Sequence, residues 1–255
     1  MVRACIFDLG GTIVDKYSLV PFKSFKSAFK KHNININNNL IFKDMGIEKK
    51  QHITNIIHDN YTSRNWFHHY NRFPNSNDID NIYNDFKLFN DEHAENIDII
   101  PQTKGIINYL RDNNIYIGCT TGFGKSTTNI IAKRLNNNNI YLDSYVSSNC
   151  VPKNTLRPNS GMIYKNLNNF NININDRVIK VDDTNVGILE GKKAGCITVG
   201  VARWSTYMNA KPDVPIFDIG HRIKTSREKL KESNPDYIID TLDELIPIIN
   251  NHRFF

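Results

Sequence analysis

RACIFDLGGTIVD, residues 3–15, decides most of what this chain can be. An apolar, strand-forming run (Ala4, Cys5, Ile6, Phe7) stops at Asp8 and then breaks into Gly10-Gly11-Thr12. A strand that ends on a carboxylate and a glycine turn places that carboxylate at the C-terminal edge of a sheet, where open α/β sheets bind ligands. The glycines let backbone N–H groups crowd a bound anion, which makes Gly11 and Thr12 candidates for holding the charged end of a substrate. Taken alone, the stretch reads equally well as an ordinary strand and turn. The residues downstream decide between the two.

With 255 residues, 40% of them apolar, the chain can bury one large core or a core plus a smaller domain. No run of eighteen apolar residues occurs, so no membrane-spanning helix is expected. Arg3 is followed at once by a strand, which is not a signal-peptide pattern. Cys5, Cys119, Cys150 and Cys196 are scattered and read as reduced thiols of a cytoplasmic protein. The net charge of +6 comes without a Lys/Arg block, so it favours small anionic partners over nucleic acid or membrane. Asparagine clusters at 33–39, 136–139 and 168–175 fall between periodic segments and read as expanded loops and helix ends.

Residues 20–95 change character. Phe22, Phe25 and Phe29, then Ile53, Ile56 and Ile57, then Ile82, Tyr83, Phe86 and Phe89 recur at helical spacing with no clear strand between them. From Ile99 strand and helix alternate: a helix opened by Pro101 and Gly105, strand 115–122, helix 126–135, a short strand at Tyr145-Val146 and a helix at 160–168. Strand 178–183, a helix through Leu189 and Ala194, strand 196–201 and a weaker one at 237–240 follow, and Thr241 with Glu244 forms a capping box for the last helix. Alternation of this kind implies a parallel sheet covered on both faces. The expected fold is therefore an α/β, Rossmann-like parallel sheet core (1–19 and 97–255) with a small α-helical cap domain (20–96) inserted after the first strand.

Functional groups collect at the strand ends. Asp8 ends the first, Thr121-Gly122 the second, Arg157-Pro158 lies after the third, and Asp182-Asp183 ends the fourth. One carboxylate to attack phosphorus, two more for a hard divalent cation, and a cation with a hydroxyl for phosphoryl oxygens form the set that phosphoryl transfer needs. Singly, Thr121 reads as a strand threonine, Arg157 as a surface arginine and the paired aspartates as a solvated turn. Their order on one sheet favours a site.

These motifs resemble those of the haloacid dehalogenase superfamily: FDLGGTIVD the nucleophile motif, CTTG the threonine motif, VDDTNVGILEGKKAGCITVGV the metal motif, and Arg157 the position where many members carry lysine. Phosphatases and mutases of that superfamily place a second aspartate, a general acid for the leaving alkoxide, two residues after the nucleophile. Here that residue is Gly10, so a simple phosphomonoesterase would lose leaving-group help worth about 10²–10⁴-fold.

Within the superfamily, DMGIEKKQHI at 44–53 is similar to the cap signature of the phosphonoacetaldehyde hydrolases, in which the lysine forms a Schiff base with the substrate aldehyde. Met45, Gly46, Lys49 and His52 fall on that family's positions, and its members carry alanine at the place of Gly10. The TTGF turn (Thr121, Gly122, Phe123), the Arg157-Pro158 pair and RFPNSNDIDNIYNDF in the cap match as well. The resemblance implies magnesium-dependent cleavage of a C–P bond in a small phosphonate. Mg²⁺ would be held by Asp8, the Gly10 carbonyl, Asp183 and Asp182, and the enzyme would be a homodimer paired through the caps. The chemistry is consistent: C–P cleavage leaves electrons on carbon, and an iminium on Lys49 accepts them while Asp8 takes the phosphoryl group. Lys49 must then be neutral. His52, three residues on, shares its helical face and is a candidate proton shuttle.

Four positions depart from the family. Phe123 stands for tyrosine, Ser18 for cysteine, and Gly187 for a carboxylate, while Asp182 adds a carboxylate where the family has glycine, as in β-phosphoglucomutase-like relatives. The metal site is expected to keep its charge and rearrange its ligands. The alternatives are a phosphatase or sugar-phosphate mutase of the same superfamily, or a binding protein that kept the fold. Trp66-Phe67-His68-His69-Tyr70 suits either a dimer interface or the cap's own core.

Overall fold

The computed structural model describes residues 1–209 and 216–252. Among them, six strands form one sheet: β1 (Ala4–Phe7), β2 (Tyr116–Thr121), β3 (Ser144–Ser147), β4 (Val178–Asp182), β5 (Ile197–Val201) and β6 (Tyr237–Ile239). The spatial order is β3-β2-β1-β4-β5-β6, and every pairing is parallel. Phe7 lies level with Cys119 of β2 on one side and Val181 of β4 on the other. The next residue, Asp8, therefore leaves the sheet where the strand order reverses, and a crevice opens there at the C-terminal strand ends.

Strands covered on both faces read as continuous apolar runs rather than alternating ones, as ACIF does. One face packs Phe7, Ile117, Val181 and Val199 against α6 (Thr103–Asp112), α7 (Lys125–Asn136) and α11 (Leu245–Asn251). The other packs Ala4, Ile6 and Val178 against α8 (Gly161–Phe170) and α9 (Asn185–Ala194). The Thr241–Glu244 capping box precedes α11 as the spacing predicts. Helix α10 (Ile216–Lys231) is the element that periodicity does not anticipate, because charged residues dominate its sequence.

Between β1 and α6 the chain makes a helical insert: α1 (Leu19–Lys31), α2 (Asn38–Lys43), α3 (Lys49–Ile57), α4 (Asn60–Tyr70) and α5 (Ser76–Ala94). Phe25, Phe29, Ile53, Ile56, Trp66, Ile82 and Phe86 close a separate core within it. The side chains of Asn37, Glu48, Asp59 and Asn75 accept first-turn N–H groups and fix where four of these helices begin. Trp66 is buried in this core, as its reading as part of the cap's own packing expects, whereas Phe67, Tyr70 and the nearby Phe73 stay exposed. Of the cysteines, Cys5, Cys119 and Cys196 are buried, Cys150 is exposed, and all four are free. No described helix is long and apolar enough to cross a membrane.

The asparagine clusters have a conformational use. Among the described residues, twelve non-glycine positions have positive φ and seven of them are asparagines: Asn33, Asn71, Asn114, Asn139, Asn171, Asn209 and Asn234. Asparagine tolerates the left-handed region better than other L-residues, so it serves where glycine usually ends a helix. Asn171, at φ 55° and ψ 42°, ends α8 this way. Asn171→Ala should destabilise the protein by about 1–2 kcal/mol and Asn171→Gly should be close to neutral, as read by urea denaturation. Equal stability of the two variants would contradict this assignment.

Candidate active site

Asp8 follows β1 directly, Thr121 ends β2, and Asp182 ends β4 with Asp183 just beyond it. The loop after β3 returns Arg157 across the same edge, where its Nη1 donates to Asp8 Oδ1 at 2.8 Å. Asp8, Gly10, Thr121, Gly122, Phe123, Arg157 and Asp183 line one narrow pocket of about 30 Å³, room for about two water molecules.

The insert supplies the opposite wall. Gly46 turns the chain at φ 100°, and a Cβ there would lie 3.2 Å from Thr184 Oγ1, so this turn rests directly on the core. Gly122 meets the same turn from below, 3.5 Å from the Ile47 carbonyl to its would-be Cβ. Glu48 caps α3, which places Lys49 in the first turn with its amine in the pocket beside Met45. Lys49 is 7% exposed. Its Nζ lies 4.0 Å from Met45 Sδ and 5.9 Å from the centre of the Phe25 ring. Burial, helped by the positive charge of Arg157, lowers its pKa to about 8, against the opposing pull of Asp8.

Oxygens of Asp8, Asp182 and Asp183 lie within 4.8 Å of one another. Burial, with repulsion from Asp182, raises Asp8 to about 6, although Arg157 and Lys180 pull it down. Burial, with Asp8 and Asp182 adding to it, pushes Asp183 well above the usual carboxylate range. For Asp182 burial also acts upward, but Lys180 and Arg157 outweigh it and hold its pKa down. Lys49 apart, four buried carboxylates (Asp8, Asp182, Asp183, Glu190) face two buried cations (Arg157, Lys180). A hard divalent cation fits the all-oxygen donor set and the excess of carboxyl groups over cationic side chains around it.

Several expected residues sit elsewhere than the spacing suggests. Gly11 and Thr12 do not line the pocket. The Gly11 N–H bonds the carbonyls of Val14 and Asp15, and the Thr12 N–H that of Leu9, so these donors close the turn rather than face an anion. Gly11 is required for a different reason: at φ 79° its would-be Cβ falls 2.4 Å from Asp183 Oδ2. Thr12 Oγ1 stands behind Asp183, at 3.4 Å from Oδ1.

His52 is fully buried among the insert's helices, outside the pocket lining. Its ring packs 4.3 Å from that of Phe25, and its Nε2 lies 3.2 Å from the Leu40 carbonyl. Burial, with the neighbouring Lys49, lowers its pKa to about 3, which keeps the ring neutral. The face shared with Lys49 turns into the helical core one turn later, so the structure places this candidate proton shuttle off the pocket wall.

Asp182 also stands outside the lining. Its Oδ1 accepts from Thr184 N and Oγ1 at 2.9 and 2.8 Å, and its Oδ2 pairs with Lys180 at 2.9 Å. A Cβ on Gly187 would fall 1.8 Å from that Oδ2, so the extra carboxylate fills the space beside the position that lost one. Gly10 lines the pocket, and a methyl there would meet the Phe123 ring at 3.6 Å, an ordinary contact. Ser18, Pro21 and Thr184 line it too and were not expected to. For Ser18 the missing signal is conformational: Asp15, Tyr17 and Ser18 all have positive φ, a local strain invisible in composition.

Magnesium should raise the melting temperature of the wild-type protein, by about 2.7 kcal/mol equivalent at a hundredfold excess over Kd. Asp183→Asn, nearly isosteric, should remove the shift. Protons compete for both Asp183 and Asp8, so the shift should shrink as pH falls and be smallest below about 6, where Asp8 is protonated as well. An equal shift in wild type and Asp183→Asn would contradict this placement of the cation.

Comparison with known proteins agrees with the geometry. A family profile described as haloacid dehalogenase-like hydrolase matches residues 5–201. The chain is 31% identical to a phosphonoacetaldehyde hydrolase of Latilactobacillus sakei subsp. sakei, over 99% of this chain and 96% of that protein. It is 32% identical to one of Paraburkholderia phytofirmans, over 97% and 94%. Among solved structures, a phosphonoacetaldehyde hydrolase-like protein from Oleispira antarctica superposes with a TM-score of 0.91 at 25% identity, covering 98% of this chain and 92% of that one. A β-phosphoglucomutase from Clostridium difficile shares the fold at a TM-score of 0.71 and 19% identity, covering 98% and 96%. With its nucleophile-position aspartate at the sheet's switch point and matching sequence along most of its length, the chain belongs to the haloacid dehalogenase-like hydrolases, and among them it resembles the phosphonoacetaldehyde hydrolases.

Proposed function

We propose that the protein hydrolyses the C–P bond of phosphonoacetaldehyde to acetaldehyde and phosphate. The observation that carries this reading is a buried lysine amine, with its pKa lowered to about 8, in the same small pocket as Asp8 and above a Gly10 that offers no proton. In this reading the Lys49 amine adds to the aldehyde carbon and releases water, giving an iminium. Asp8 attacks phosphorus, the C–P electron pair moves into the iminium to give an enamine, and an aspartyl phosphate forms. Protonation at carbon and hydrolysis of the imine free acetaldehyde, and water cleaves the aspartyl phosphate. Arg157 and the Thr121 hydroxyl receive the phosphonate oxygens. Asp8, Asp183 and the Gly10 carbonyl would hold magnesium, with Asp182 adding charge behind them, and the bound cation would supply the positive charge that offsets repulsion between carboxylate and phosphonate.

The supporting roles follow from position. Met45 and Phe123 keep water from the imine, and the Gly46 turn brings Lys49 over the sheet. His52 acts as a neutral packing partner that fixes α3. The insert, residues 20–96, is the cap in this reading. Exposed Phe67, Tyr70 and Phe73 mark the face through which two copies would pair, which a measured solution mass tests.

Release of acetaldehyde and phosphate from phosphonoacetaldehyde with magnesium is the direct assay. Lys49→Arg keeps the charge but lacks a nucleophilic amine, and should lower turnover by at least about 10⁴-fold, as removal of a covalent catalyst does. Wild-type turnover should rise with pH through about 8, tenfold per unit below it, as the amine loses its proton. Efficient turnover of phosphomonoesters, with Lys49→Arg as active as wild type, would overturn the reading in favour of a phosphatase.

A further inference from the structure

Arg157 is held by more than Asp8. Its Nε donates to Glu190 Oε2 at 2.8 Å, and its Nη2 donates to the Thr120 carbonyl at 2.8 Å and to Thr120 Oγ1 at 2.7 Å. The Thr120 hydroxyl also accepts from Lys180 Nζ at 2.8 Å and donates to Glu190 Oε2 at 2.9 Å. A hydroxyl has one donor and two acceptor sites, so this one is saturated and its orientation is fixed. Lys180 Nζ completes the cluster, 2.9 Å from Asp182 Oδ2 and 3.6 Å from Glu190 Oε2.

Thr120, Lys180 and Glu190 are all 0% exposed, and none of them lines the pocket. A lysine inside an apolar strand and a glutamate on the buried face of α9 are costly placements that hydrophobic residues would avoid. Here the glutamate meets the Arg157 guanidinium directly, and the lysine meets the Thr120 hydroxyl and the Glu190 carboxylate that hold it. A guanidinium is a planar fork, so pinning Nε and Nη2 sets the direction of the remaining edge, the Nη1 that meets Asp8.

We propose that Glu190, with Thr120 as the shared hydroxyl and Lys180 as its counter-charge, is the positioning residue that aims Arg157 at Asp8 and at the phosphoryl group Asp8 would carry. The inference rests on the reading of Asp8 as the phosphoryl acceptor. Glu190 acts only through Arg157 and touches neither substrate nor metal. A glutamate that merely filled the interior would affect ligand binding equally whatever residue stood at 157.

The test is a double-mutant cycle on the affinity for beryllofluoride, which mimics a phosphoryl group on a carboxylate, in the full-length protein with magnesium. Glu190→Gln should weaken binding at least about tenfold, the scale of one charge-assisted hydrogen bond, and should add little in an Arg157→Lys background. Should Glu190→Gln fail to fold, Thr120→Val and Thr120→Ser replace it: valine should reproduce the loss and serine, which keeps the hydroxyl, should recover most of it. Equal weakening in both arginine and lysine backgrounds, no weakening in wild type, or serine behaving like valine would overturn the proposal. Wild-type protein that fails to bind beryllofluoride would overturn it together with the role of Asp8. Coupling between Glu190 and Arg157 in a protein that leaves phosphonoacetaldehyde intact would sustain the positioning role and refute the substrate. Turnover without coupling would do the reverse.

Discussion

Burial of ionisable side chains around one small pocket, walled by the sheet on one side and the α2–α3 turn on the other, is the constraint on which the rest of the structure depends. In that volume a lysine amine and an aspartate share low dielectric surroundings, and burial moves both toward their neutral forms: Lys49 down to about 8 and Asp8 up to about 6. In open water the amine would stay protonated and unreactive at neutral pH. In the proposed reading the helical insert is therefore a chemical component of the site. Its separate core fixes α3, and α3 fixes where the amine lies.

The same burial constrains the charge arrangement beneath. Unpaired buried charges would each cost several kcal/mol, and the structure meets this with a lattice of short contacts centred on Arg157 and Lys180. Asp182 belongs to that lattice, tied to Lys180 and to the first turn of α9. Asp183 is left facing the pocket with a strongly raised pKa, the signature of a carboxylate whose natural counter-charge is a bound cation. The switch from a carboxylate at 187 to one at 182 keeps negative charge in the same space while relocating its backbone anchor.

Much of this was legible in the chain. ACIF, IYIGCTT and VIKVDD are largely apolar runs that stop on polar groups, and their order along the chain, alternating with helices, favours buried strands with functional ends. Asp8, Thr121, Arg157 and Asp183 followed from their order, and Lys49 from its motif; the structure brings all five to one pocket. What escaped reading depends on direction or on distant partners. The i, i+3 spacing of Lys49 and His52 does not say that the first side chain leaves the helical core and the second enters it. Gly11 and Thr12 looked like anion binders because a glycine turn does not reveal which of its N–H groups close the turn. The Thr120, Lys180 and Glu190 cluster joins residues that are 60 and 70 positions apart, and only the folded sheet makes them neighbours. Lys180 nevertheless left a trace, a charge in the middle of an apolar strand.

The central claim is that the Lys49 amine bonds covalently to the substrate carbon inside the shut pocket. The most direct measurement is mass spectrometry of the protein after incubation with phosphonoacetaldehyde and cyanoborohydride, with the modified peptide mapped. The account predicts a reduced aldehyde adduct on Lys49, absent in Lys49→Arg and formed in preference to any adduct on the half-buried Lys50 beside it. Complete hydrolysis of the substrate with no adduct at Lys49, or adducts spread evenly over surface lysines, would contradict it.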